Sequence, residues 1–325
     1  MIMRKILAIL LVFSVAAANF GCGKNNTASK PNSFITINGE EVSTPIFVHY
    51  MQSVKQSIEE QYGSIAKDAE AAEYIKEQAL NKIINLYLAK QSLGRELTDD
   101  EIKKIRDEET IYRDMYGKDY DKALREVGLN AEIYFDLLTL TQFETIAYNE
   151  MKGDTSEAEL RKFYENSMMR IKEIFVYDDG EENPLVDRIM AKGLIEIVYE
   201  KAKAGEDFDK LIEDFNMDSN MAQYEDGLLV GRNNPSYNPD WLEIAANLKA
   251  NGISDIFEID GGYSILKRLP VDKSKFEENL EISIMMEYWF DKMAKLKATA
   301  VVEKNDEIWS RIDLGKGLGK NFGIK

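Results

Sequence analysis

Ile171-Lys172-Glu173-Ile174-Phe175-Val176-Tyr177 interrupts a chain that reads as helix from residue 44 to 168. Five of these seven residues are β-branched or aromatic, types that fit the pleated, half-buried surface of a sheet, and the stretch is predicted as a strand. The acidic run Asp178 to Glu182 that follows is read as a solvated loop, because it lacks the ligand spacing of a calcium site. Beyond it the pattern alternates. Helices are predicted at about Leu185 to Lys203 and Phe208 to Phe215, then a short strand at Leu228-Leu229-Val230. A helix from Pro239 to Leu248 and two strands flanking Asp260-Gly261-Gly262 complete an α+β module over residues 169–271.

Upstream, Phe34-Ile35-Thr36-Ile37 alternates like a strand, and Asn38-Gly39 is a strong two-residue hairpin signal, with Glu40 to Val42 as the return strand. Thr44 is predicted as an N-cap with Pro45 at the first helical position, where a missing N–H costs nothing, and a helix should run to about Tyr62. Ile75, Ala79 and Ile83 recur at spacing four, and Gly94 stands where a helix C-cap needs a left-handed residue. Thr98-Asp99-Asp100-Glu101 and Ser156-Glu157-Ala158-Glu159 both match the capping box, in which hydroxyl and carboxylate satisfy each other's orphan backbone donors. Further helical patterns lie around 102–116, 118–127 and 131–151, so residues 34–168 are predicted as a mostly helical domain.

Downstream of Pro270, Phe276, Leu280 and Ile284, followed by Met285, Trp289, Met293, Leu296 and Ala300, mark a long amphipathic helix. An apolar stripe of that length needs a partner. The segment 272–312 is therefore expected to pack back on the N-terminal helices, leaving a glycine- and lysine-bearing tail at 313–325, disordered from Gly315 on. The fold class predicted is α+β: a mostly helical domain built from N- and C-terminal segments, with an α+β domain inserted.

The 325 residues hold 41 Lys+Arg against 58 Asp+Glu, a net charge of −17. Nucleic acid is an unsuitable partner for such a chain, because binding there depends on neutralising phosphates with Lys and Arg. A lone His49 and a lone Cys22 exclude a multi-histidine metal site and a disulfide within the chain. No cofactor or metal is implied. Residues 1–22 open with Arg4 and Lys5, continue in an apolar run from Ile6 to Ala18 and end in Asn19-Phe20-Gly21-Cys22. That is a secretory signal, too short to span a bilayer that needs ~20 apolar residues. Its end resembles a lipobox, with Cys22 as the acylated residue. Ala16-Ala17-Ala18 offers a competing ordinary cleavage site. Residues 23–33 are polar and read as a flexible tether, so the body is expected outside the cytoplasm, lipid-anchored to the cell membrane.

The module resembles the parvulin-type (PpiC-like) peptidyl-prolyl isomerases in their extracytoplasmic foldase lipoprotein form. The resemblance rests on the strand Ile171 to Val176, on Ala204-Gly205-Glu206-Asp207-Phe208 and on Asn216-Met217-Asp218-Ser219. It continues in Pro239-Asp240-Trp241 to Leu248, Asn251-Gly252-Ile253-Ser254 and Gly261-Gly262-Tyr263-Ser264-Ile265-Leu266. Asn38-Gly39-Glu40 before a capped helix looks like the start of a SurA-like N-terminal chaperone domain. The family pairs an apolar proline slot with a polar cluster that usually holds two histidines. The resemblance places that cluster at Glu173, Asp218, Ser219 and Ser264, so both histidines are absent here. It places the peptide-binding residues at Tyr237, Trp241, Leu248, Met221 and Leu229, and the glycine loop at Glu225 to Gly231 departs from the family's pattern.

Three functions follow as alternatives. One is a membrane-tethered foldase or chaperone that binds unfolded or newly secreted polypeptides. The second is an active prolyl isomerase with a histidine-free site. The third is an envelope lipoprotein that uses the fold as a scaffold for a ligand or partner. The methionines, among them Met168, Met169, Met217, Met221, Met285 and Met286, offer the adaptable apolar surface that promiscuous binders use, or fill cores.

Overall fold

A computed structural model describes residues 34–62, 69–178, 184–219, 221–259 and 261–315. The signal, the tether with Cys22, most of the acidic loop and the tail from residue 316 lie outside them. The described residues divide into two compact units, one formed by those up to Gly153 together with those from Lys295 on, the other by those within Asp154–Ala294. No helix among the described residues is long and apolar enough to cross a membrane.

The first unit opens with strands β1 (Ile35–Ile37) and β2 (Glu40–Glu41). Asn38 and Gly39 both take positive φ, 52° and 81°, the conformation a tight two-residue hairpin demands. Helix α1 (Thr44–Tyr62) begins one residue earlier than its sequence suggests: the Ser43 carbonyl already accepts from the Phe47 N–H, and Thr44 is inside the first turn. Pro45 is tolerated there because first-turn N–H groups have no helical acceptor. Helices α2 (Ala69–Leu93), α3 (Asp99–Tyr116), α4 (Tyr120–Glu126) and α5 (Ala131–Asp154) follow. The apolar face of α2, with Ile75, Ala79 and Ile83, is fully buried, and Gly94 follows with φ of 67°. The capping box at Thr98 and Glu101 is present in full.

The chain's last part closes this unit with β7 (Val302–Lys304) and α12 (Asp306–Ser310). The sequence places residues 302–304 within a helical segment; they form a strand instead. The reason is the open edge of β1, whose unpaired backbone groups need partners: β7 supplies them, in the order β2-β1-β7. Trp309 then packs on Phe47 and donates its Nε1–H to Glu73 at 2.8 Å.

In the second unit, α6 (Glu157–Ser167) starts with the capping box of Ser156 and Glu159. It leads into β3 (Met168–Tyr177), α7 (Pro184–Lys203), α8 (Phe208–Phe215), β4 (Leu228–Gly231), α9 (Pro239–Asn247), β5 (Phe257–Ile259) and β6 (Gly262–Leu269). The strands form one antiparallel sheet in the order β4-β3-β6-β5. Strand alternation divides its side chains between two layers. Ile174, Val176, Tyr263 and Ile265 pack against α7 and α8. Met169, Ile171, Phe175, Val230 and Leu266 pack against α9.

The long helix expected after Pro270 is interrupted. A short α10 (Phe276–Asn279) passes through a π-helical turn, Leu280–Ile284, into α11 (Met285–Thr299). The apolar spacing contains the cause. Phe276, Leu280 and Ile284 form one stripe, and Met285, Trp289 and Met293 form another offset by one residue. The Met285 N–H donates to Leu280 O, the i→i−5 bond that absorbs one extra residue. Both Ile284 and Met285 are thereby buried.

Candidate functional site

The face of the sheet covered by α9 holds a polar group where apolar packing would be simplest. Glu173 lies between Ile171 and Phe175 on β3, facing inward, and is only 9% exposed. Its Oε1 accepts two hydrogen bonds, from Trp241 Nε1–H at 3.1 Å and from Ser264 Oγ–H at 2.5 Å. Ser264 stands on β6 opposite Phe175, and Trp241 on the first turn of α9. A carboxylate taken out of water requires such donors, because without them its desolvation would go uncompensated.

Local chemistry positions each member. Asn238 caps α9 by accepting from the Asp240 N–H, and Pro239 occupies the first turn. At the other end, the Arg268 guanidinium donates to the carbonyls of Ala246 at 3.0 Å and Leu248 at 2.9 Å, satisfying the helix's terminal acceptors. Burial holds the Arg268 pKa below its ordinary value. Tyr237, just before the cap, stacks on Trp241 with ring centroids 5.5 Å apart and planes at 23°. Burial, then the nearby Tyr224, Glu287 and Glu173, push the Tyr237 phenol above its ordinary pKa, so it remains protonated at neutral pH.

Along the part of the β3 edge that β4 leaves unpaired, the Phe175 N–H donates to Asn216 Oδ1 at 2.9 Å and Phe175 O accepts from the Met217 N–H at 2.9 Å. This loop continues β3's edge pairing beyond the end of β4 and carries Asp218 and Ser219. Both line a cavity of about 380 Å³, together with Met221, Lys172 and Asp209. Lys172 Nζ and the Asp209 carboxylate form an ion pair at its wall.

Of the residues singled out from sequence, the structure joins Glu173, Ser264 and Trp241 directly. Tyr237, Leu248 and Met221 pack in or against the same apolar cluster, and Met221 borders the cavity as well. Leu229 is placed differently. Alternation in β4 sends Leu228 and Val230 into the cluster, while Leu229 pairs with Arg170 on the opposite face. Four of the six methionines, Met168, Met169, Met221 and Met285, are buried, and Met217 and Met286 are exposed. Sequence reasoning missed Arg268. A pair of cations, Lys267-Arg268, at the end of an apolar strand was its available signal.

Chemically, the hydroxyl of this network, on Ser264, is fully buried and bonded to a carboxylate rather than to an imidazole base. Ser264 donates its hydrogen bond to a carboxylate already shared with an indole, and this unit contains no histidine. It presents an aromatic wall around a closed polar network. Amide rotation needs no proton transfer, only preferential binding of a twisted bond against a barrier of ~18–20 kcal/mol, so such a face is compatible with either binding or isomerisation.

Comparison with known proteins places both units. Residues 1–127 match the model of the SurA-like N-terminal domain, and residues 181–269 that of the PPIC-type PPIase domain. The foldase protein PrsA of Caldanaerobacter subterraneus is 20% identical over 85% of this chain and 85% of its own length. That of Geobacillus kaustophilus is 26% identical over 76% of this chain and 82% of its own. Among solved structures, the foldase protein PrsA from Streptococcus pneumoniae aligns over 82% of this chain and 92% of that one, at 18% identity and a TM-score of 0.31. The α+β unit thus holds a stretch similar to the PPIC-type PPIase domain, and the N-terminal part of the chain one similar to the SurA-like N-terminal domain.

Proposed function

We propose that the protein is an extracytoplasmic foldase or chaperone, tethered to the membrane through Cys22, that holds unfolded exported polypeptides. The observation that carries this reading is the aromatic face of the PPIC-type domain. Tyr237 stacks over Trp241, and the loops of the same unit add Met217 and Tyr224, large apolar side chains that are 47% and 39% exposed. Exposed large apolar groups accompanying an aromatic wall suit contact with apolar segments of a client. Similarity to proteins named foldases over about four-fifths of the chain supports the same class.

The PPIC-type match also favours a second reading, active prolyl isomerisation without histidines. Magnetisation-exchange NMR on a panel of X-Pro peptides, with residues 23–325 and a Trp241→Ala control, separates the two. Line broadening of apolar peptides without accelerated exchange is expected for a holding chaperone. Exchange accelerated by the wild type and lost in the control assigns an isomerase instead. Peptides that neither broaden nor exchange overturn both. The tether is tested by mass spectrometry of the mature N-terminus, where a diacylglyceryl mass on Cys22 is expected and an Asn19 terminus refutes it.

A further inference from the structure

The loop between β4 and α9, residues 232–238, is organised around Asn234. Its N–H donates to Gly231 O at 3.4 Å, its carbonyl accepts from the Tyr237 N–H at 3.4 Å, and its Oδ1 accepts from the Ser236 N–H at 2.9 Å. The remaining polar atom leaves the loop: Asn234 Nδ2 donates to Glu287 Oε1 on α11 at 2.6 Å. One residue earlier, Asn233 Nδ2 donates to Asp291 Oδ1 at 3.0 Å. Glu287 and Asp291 stand four apart and so share a helix face. Two successive loop asparagines are thus held by two carboxylates from one helix.

Glu287 is 5% exposed, and its Oε2 has no hydrogen-bond partner among the described residues. A Cβ at Gly231 would come within 2.7 Å of that oxygen, so the absence of a side chain there is what lets the strand end approach. A buried carboxylate costs free energy that an apolar residue of the same size would not, and the Asn234 side chain and the Gly231 backbone N–H offset only part of that cost. Burial accordingly pushes the Glu287 carboxyl above its ordinary pKa. In this position the carboxylate fixes a loop that ends in Tyr237, the upper ring of the aromatic stack, and Asn238, the cap of the helix bearing the lower ring.

We propose that the Asn234–Glu287 hydrogen bond, backed by Asn233–Asp291, is a positioning clamp that sets the Tyr237–Trp241 stack and with it the client-contacting face. Neither residue touches the client. The inference rests on the foldase reading and deepens it.

The test records the Trp241 indole N–H resonance of ¹⁵N-labelled protein, assigned with Trp241→Phe, alongside titration with an apolar proline-containing peptide. Glu287→Ala and Asn234→Ala are expected to shift the indole resonance without peptide and to weaken peptide binding about tenfold. Glu287→Gln retains an oxygen that accepts from Asn234 and is expected to restore the resonance and an affinity within about threefold of wild type. Asn234 is only half-buried, so its variant keeps the test open if Glu287→Ala fails to fold. An unmoved indole in Asn234→Ala, or failure of Glu287→Gln to restore it, overturns the clamp. A moved indole with unchanged affinity overturns its bearing on the client face. If even the wild type binds no peptide, the foldase reading falls, while the indole shifts still decide the clamp.

Discussion

The two faces of the four-stranded sheet come from the same strands and are both buried, yet they are built for different ends. Against α7 and α8 the interior is Ile174, Val176, Ile195, Val198 and Ile265, with polar atoms confined to its margins. Against α9 a carboxylate, a hydroxyl and an indole N–H meet inside an equally apolar setting. Alternation along β3 sorts the two: Ile174 and Val176 pack, and position 173 brings a charge-bearing group to the side where the aromatic stack lies. The difference teaches that, on the function proposed, packing and client contact fall on opposite faces of one sheet, although no residue on either face is far from the other.

That separation can be broken by substitution. Trp241→Ala removes a ring, a stack and a hydrogen bond, and is expected to cost about 3–5 kcal/mol in the unfolding of the Asp154–Ala294 unit and to abolish peptide binding. Ile195→Ala on the opposite face should cost a similar ~2–5 kcal/mol while leaving the peptide affinity of the folded protein unchanged. Denaturant titration and peptide titration on both variants check the pair; loss of affinity in Ile195→Ala would show that the faces are coupled.

Within the α9 face the contrast can be sharpened. Glu173→Ala leaves two buried donors without their acceptor and is expected to destabilise by about 1–3 kcal/mol, whereas Ser264→Ala removes one donor and should cost nearer ~1 kcal/mol. Equal losses in the two variants would mean that the carboxylate is not the hub of the network. The smallest effect concerns Glu287. Its folded-state pKa is raised, so its contribution to stability is fully present below the ordinary value of 4.5 and is lost as pH rises through the raised one. Glu287→Gln escapes that loss, and its melting temperature should exceed that of wild type at pH 7 by about 2–4 °C, with the gap closing toward pH 4. A gap that does not change with pH would place the carboxyl in the ordinary range.

Much of the fold is legible in the amino-acid order alone. The hairpin at Asn38-Gly39, the two capping boxes and the succession of elements from 168 to 269 are readable because each depends on groups within a few residues. The candidate site is legible in part. A family resemblance points to Glu173, Ser264 and Trp241, but not to their sharing one oxygen atom, because Trp241 and Ser264 lie 68 and 91 residues from Glu173 along the chain. The sequence also leaves open which face Leu229 takes, because successive residues of a strand point to opposite sides.

By itself, then, the sequence determined the capped starts at Thr98 and Ser156, the turn at Asn38-Gly39 and that a sheet interrupts the helical run, all of which follow from short-range sterics and backbone hydrogen bonding. Only the tertiary structure decided that Val302–Lys304 becomes a strand, that a π turn brings Ile284 and Met285 both inward, and that Asn234 meets Glu287. Those outcomes depend on the burial of groups distant in sequence, where an edge to be paired or a carboxylate to be satisfied selects among conformations that local chemistry leaves equal.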